Sequence, residues 1–230
     1  MRRSGWRLIG IGGGSTAMPE VTINGTAGPL EGRLSPGPHG HGPIGLFLHP
    51  HPQHGGTMNN KVVFALERAF RSHGFTTLRF NFRGVGRSAG HFDGGDGELS
   101  DAASALDWLR ARHPEAAQCW IAGFSFGAWI ATRLLTRRTG IDRFVAVAPP
   151  ANLFDFGFLT PCPASGLIIQ GDRDDIVPEP AAARLAHRLA NQPDIRVEYR
   201  VIPGADHFFA ERMAGLGQCL DEYLGQEGAM

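Results

Sequence analysis

From Pro19 onward, short apolar runs alternate with stripes of helical period. Residues 21–23 and 30–34 read as two short strands joined by a glycine-bounded turn, a hairpin. The run 44–48, Ile-Gly-Leu-Phe-Leu, has no polar residue and reads as a buried strand. Residues 59–72 place Val62, Val63, Leu66, Ala69 and Phe70 on one helical stripe. The same reading predicts strands at 75–80, 119–122, 144–148, 167–169 and 197–202, and helices at 99–112, 127–138, 181–190 and 209–224. Strands without polar alternation are covered on both faces, and strands separated by helices pair in parallel. The pattern predicts an α/β fold with about eight mostly parallel strands, the first two antiparallel, and helices on both faces.

Composition narrows the reading. Glycine supplies 32 of 230 residues, roughly twice ordinary usage. The chain has no G-x-y period, 42% of it is apolar and its net charge is +0, so neither collagen nor disorder explains the glycines. They are expected at tight turns and close backbone approaches. The balanced charge leaves no footprint for nucleic acid. No run approaches the ~20 apolar residues of a membrane helix, so no membrane partner is expected. Cys119, Cys162 and Cys219 follow no metal or redox spacing and fit a reducing cytoplasm. Residues 1–17, where Arg7 and Gly12-Gly13-Gly14 break the apolar run, read as a flexible leader, with Met18 as a candidate start. No linker or repeat divides residues 18–230, which read as one domain.

Gly123-Phe124-Ser125-Phe126-Gly127 falls between a predicted strand and a predicted helix. This G-x-S-x-G in a strand–turn–helix setting is the pattern of a nucleophilic serine on a sharp turn, with the Phe126 amide aimed at a developing oxyanion. A serine needs a base, and the base needs an orienting acid. Candidates follow in that order just past two predicted strands: Asp172, Asp174 and Asp175, then His207, whose neighbour Asp206 reads as a turn residue. Two other glycine motifs lead elsewhere. Gly84-Val85-Gly86-Arg87-Ser88-Ala89 matches a dinucleotide fingerprint on paper, but no helix is predicted to open inside it, as that site requires. Gly10-Ile11-Gly12 has no strand–helix unit after it. His39, His41, His49, His51 and His54 cluster without an acidic companion. No metal is expected there. Instead His51 and His54 are expected at the mouth of the site, with His49 beneath.

Together these segments resemble the α/β-hydrolases over residues ~19–225, and in particular the small lidless bacterial group related to dienelactone hydrolases and carboxylesterases. The matching motifs are His49-Pro50-His51-Pro52, the run from Arg79 to Ser88, the turn at Ser125, G-x-x-D-x-x-V-P at 171–178, and Gly204-Ala205-Asp206-His207. The resemblance implies Ser125 as nucleophile, Asp174 as acid, His207 as base, and no cofactor. It implies a second oxyanion amide in the loop after the third strand. There Pro50 and Pro52 have no N–H, which leaves His51 as the expected donor beside Phe126, with Gln53 and Gly55-Gly56 as alternatives. Dienelactone hydrolases have a cysteine at the elbow; Ser125 points instead to ester hydrolysis.

The connection 149–165 after the sixth strand is too short for the cap many relatives insert there. Phe154, Phe156 and Phe158 within it are candidates for an apolar substrate wall. The expected activity is hydrolysis of small or accessible carboxylic esters through an acyl-enzyme, with a small-molecule ester as the partner. A thioesterase or peptidase with the same triad is the first alternative, and a non-catalytic binding module on a hydrolase scaffold the second.

Overall fold

The computed structural model describes residues 19–38 and 41–227. The leader expected at 1–17 and the candidate start at Met18 lie outside them. Eight strands form one sheet: β1 (Glu20–Gly25), β2 (Gly28–Ser35), β3 (Ile44–Leu48), β4 (Thr76–Phe80), β5 (Cys119–Phe124), β6 (Arg143–Val147), β7 (Ser165–Gly171) and β8 (Val197–Ile202). Their spatial order is β1-β2-β4-β3-β5-β6-β7-β8. β1, β2 and β4 pair antiparallel, and every other pairing is parallel.

Among the described residues five α-helices cover the sheet: α1 (Lys61–Ser72), α2 (Asp96–Arg112), α3 (Phe126–Leu135), α4 (Glu179–Ala190) and α5 (Met213–Glu227). The central strands are buried at nearly every position because alternate side chains serve two cores. Along β5, Cys119 and Ile121 join the core under α2, α3 and α4, while Trp120, Ala122 and Phe124 join the core under α1 and α5. α1 starts where Asn60 caps it, its Oδ1 accepting from the Val62 amide at 2.9 Å. Its buried face is Val62, Val63, Leu66, Ala69 and Phe70, the predicted stripe.

Two helix starts differ from the sequence reading by three residues or more. α2 begins at Asp96 rather than 99, because the Glu98 carboxylate reaches back to the Gly95 amide at 2.7 Å and stabilises an extra turn. α5 begins at Met213 rather than 209. Phe209 takes the left-handed backbone (φ 54), which a helix interior does not accommodate, and its ring is buried in the α1/α5 core. The Gly84–Ala89 segment packs on the hairpin: Ala89 N donates to Pro29 O at 2.8 Å and Glu31 N to Ser88 Oγ at 3.0 Å. The helix that follows opens only at Asp96.

Strand order reverses at β3, which lies between β4 and β5 although both follow it in the chain. In open α/β sheets the crevice beyond such a switch point, at the carboxyl ends of the strands, is where ligands bind.

Candidate active site

β5 passes into α3 through Ser125, whose φ of 54° and ψ of −121° lie outside the regions L-residues prefer. The turn is held from below by Ser125 N donating to Val147 O at 2.8 Å. Its two glycines have steric reasons. A Cβ on Gly123 would overlap the Gly127 backbone, and a Cβ on Gly127 would overlap the Leu48 and His49 carbonyls. Only this pair lets strand, helix and neighbouring loop close around the serine, whose side chain stays half-buried at the surface of a cleft.

β7 and β8 bring the acid and the imidazole to the same point. His207 Nε2 lies 3.0 Å from Ser125 Oγ, and His207 Nδ1 lies 2.7 Å from Asp174 Oδ2. Both rings of contact are shielded, since His207 and Asp174 are buried. Asp174 also accepts from Gln170 Nε2 at 2.9 Å, Ile176 N at 2.9 Å and Val177 N at 2.7 Å. Burial alone would raise its pKa. The hydrogen bonds from His207, Val177 and Gln170, with the nearby imidazole charge, outweigh burial and hold the carboxyl below its ordinary range. Asp172 and Asp175 are exposed, and Asp172 instead accepts from the Gly204 amide. Asp206 accepts from the Ala210 amide at 2.9 Å, a turn contact.

On the other side of Ser125 stands the β3–α1 loop. His51 and Phe126 border the same cleft as Ser125, and their rings pack at 4.9 Å. The Phe126 amide is the first of its helix, so no intrahelical carbonyl accepts from it. The alternative donors are largely engaged: Gln53 N donates to His51 Nδ1 at 3.2 Å and Gly56 N to His51 O at 3.0 Å. Burial, then the charge of His54, lowers the His51 pKa and favours its neutral ring. Beneath the loop His49 is wholly buried, with Nδ1 2.7 Å from Pro50 O and Nε2 accepting from Phe82 N at 3.0 Å. Burial pulls its pKa down to about 4, so it is a neutral structural tie. Arg79 extends the support, pairing with Glu67 and donating to Met58 O at 2.6 Å. His41 is exposed, and His39 lies outside the described residues. Among the described residues no group of three or more His, Cys, Asp or Glu side chains is placed to hold a metal ion.

The cleft measures about 490 Å³. Its lining includes polar His51, His54 and Asn60 from the β3–α1 loop and apolar Leu153, Phe154, Ile176 and Phe208 from the loops after β6, β7 and β8. Of the three phenylalanines expected there, only Phe154 lines it. Phe156 is buried in the core under α2, α3 and α4, and Phe158 stacks on it at 6.0 Å between ring centres, away from Ser125. The physical reason is a short helical turn, Gly157–Leu159, which buries Leu159 after the buried Phe156 and leaves Phe158 half-buried against the same core. Leu153, Ile176 and Phe208 carry no periodic signal. Their sequence clue is position: Ile176 and Phe208 immediately follow the Asp174-Asp175 and His207 motifs. A larger groove of about 780 Å³ runs between α1 and α5 past Phe64 and Met213 and touches none of these groups. No helix among the described residues is long and apolar enough to cross a membrane.

The β6–β7 connection holds only that short turn, and among the described residues no cap is inserted over the cleft. A family model described as serine aminopeptidase, S33, matches residues 52–155. An α/β-hydrolase candidate of unknown function from Agrobacterium tumefaciens is 53% identical over 91% of this chain and 96% of its own, with a TM-score of 0.88. An α/β serine hydrolase homologue from Coxiella burnetii is 37% identical over 91% of this chain and 100% of its own, with a TM-score of 0.79. An α/β serine hydrolase without lid from Xanthomonas campestris is 35% identical over 92% and 95%, with a TM-score of 0.81. With its fold and nearly its whole described length shared with these proteins, the chain belongs to the α/β-hydrolase superfamily, among the lidless bacterial serine hydrolases.

Proposed function

We propose that this chain hydrolyses carboxylic esters of small or accessible substrates by two-step acyl transfer. The observation that carries the reading is the continuous relay from Ser125 Oγ to His207 to Asp174, at 3.0 and 2.7 Å. In it, His207 takes the Ser125 proton as Oγ attacks the ester carbonyl, and Asp174 keeps Nδ1 protonated and steadies the imidazolium. The amides of Phe126 and His51 receive the negative charge on the carbonyl oxygen. Collapse expels the alcohol, which takes the proton from His207, and a water activated by the same imidazole then releases the acid and frees Ser125. The open cleft lets that water in. The chemistry calls for no cofactor. Cys119, Cys162 and Cys219 are buried, unpaired thiols, which suits a reducing cytoplasm.

The S33 family description favours a peptidase as the second reading. An aminopeptidase must hold a free α-ammonium, and none of the described residues lining the cleft is acidic. Esters therefore fit this cleft better. The test is turnover of p-nitrophenyl acetate beside an aminoacyl p-nitroanilide. Ester turnover is expected, falling by at least about 10⁴-fold in Ser125→Ala. Equal rates in wild type and variant would remove the ester reading, and anilide turnover alone would install the peptidase.

A further inference from the structure

Scattered single apolar side chains on a surface need no explanation, but a cluster does. Among the described residues the exposed large hydrophobics are Phe64, Leu153, Ile176, Val201 and Phe208. Leu153 (62% exposed), Ile176 (46%) and Phe208 (50%) all border the Ser125 cleft. They come from three different loops, so their meeting there is a product of the fold.

Two of the three are tied through their backbones and the third through its ring. Ile176 N donates to Asp174 Oδ1 at 2.9 Å, and Ile176 O accepts from Asn152 Nδ2 at 3.0 Å. Leu153 N donates to Pro150 O at 3.0 Å. The Phe208 ring stands edge-on to His207, 5.2 Å between centres. Deeper in, Phe154 stacks on Trp129 at 4.3 Å and meets Phe126, continuing the apolar wall toward Ser125. Among the described residues no Asp, Glu, Lys or Arg lines the cleft, and the polar His51, His54 and Asn60 come from the β3–α1 loop instead.

We infer that Leu153, Ile176 and Phe208 form a preorganised track for the aliphatic acyl chain of a single ester molecule, which makes medium-chain acyl esters better substrates than acetates. The inference rests on the ester reading above. A chain leaving the attacked carbonyl along this wall removes both itself and the three exposed side chains from water. Each buried methylene can then raise kcat/KM by up to about four-fold. Because the rim is already ordered by bonds to Asp174 and Asn152, little of that gain is lost to ordering it.

The test is a series of p-nitrophenyl acetate, butyrate, hexanoate and octanoate, each kept below its micelle concentration. kcat/KM is expected to rise through octanoate. Ile176→Ser and Phe208→Ser are each expected to lower the octanoate-to-acetate ratio by about ten-fold, mainly through KM, and Ile176→Leu to restore it. A second measurement does not need turnover: calorimetric binding of octanoate to Ser125→Ala, weakened when Ile176→Ser is added. Turnover of acetate with a flat series, or an unchanged ratio in both serine variants, overturns the track and leaves the ester reading standing. No turnover of any ester, with octanoate binding that depends on Ile176, overturns the ester reading and keeps the track. A rate that appears only above the micelle concentration overturns it as well, since the rim would then meet a lipid aggregate.

Discussion

The two sides of Ser125 are held in place by different physics. On the acid side, β7 and β8 deliver Asp174 and His207, and the contacts are short, charge-assisted and joined directly to the serine. On the proposed oxyanion side, the β3–α1 loop brings no carboxylate to the cleft. It is anchored from beneath by neutral His49 and by the buried Arg79–Glu67 pair, neither of which faces the cleft. The difference separates two jobs. Groups that move protons must touch the reacting atoms, so they stand in line. Groups that fix a backbone amide can work through the core, at one or two removes. Damage on the acid side should therefore appear as lost rate, and damage on the oxyanion side as lost stability first.

The largest expected effect breaks the acid side. Asp174→Asn should lower kcat on p-nitrophenyl acetate by about 10⁴-fold while the melting temperature barely moves, because the amide favours the wrong imidazole tautomer. Next, Glu67→Gln leaves Arg79 charged, buried and without its ion-pair partner on α1. A stability loss of about 3–5 kcal/mol follows, read as a fall in Tm of about 10 °C, with a much smaller change in kcat. A large rate loss with unchanged Tm would erase the contrast between the sides.

His49 gives the same contrast a pH signature. Its folded pKa is about 4 against an ordinary 6.5, so the unfolded chain binds the extra proton between those values. Its neutral burial therefore costs nothing above pH 6.5 and removes up to about 3 kcal/mol as pH falls toward 4. Asp174, with its depressed pKa, adds a further loss only as pH falls below its ordinary 3.8. Urea midpoints measured across pH 4 to 7 should slope accordingly, and His49→Phe should flatten that part of the curve. The smallest effect sharpens the acid side. Gln170→Leu removes one hydrogen bond to Asp174 Oδ2 and should cost about ten-fold in kcat, with a shifted acid limb in the pH–rate profile.

What could be read from the chain follows the same division. Ser125 and His207 are visible because their motifs sit just past strands that the apolar runs announce, while Asp174 is separated from Asp172 and Asp175 only by the family resemblance. The sheet is visible because strands serving two cores contain no polar alternation. The supports are only partly visible. His49 is expected beneath the site and lies there, but Arg79 and Glu67 are polar residues whose burial depends on partners far along the chain, and no local period marks it. Phe156 and Phe158 mislead because around a short helical turn they pack on the core instead of lining the cleft. Phe209 misleads because one left-handed residue postpones a helix that the apolar stripe would start there.

The central claim is that the relay makes Ser125 a nucleophile. A fluorophosphonate probe, with adducts mapped by peptide mass spectrometry, tests this directly. The expected result is one adduct, on Ser125, absent in Ser125→Ala and formed far more slowly in His207→Gln. An unlabelled wild type, or labelling equally fast without His207, would contradict it.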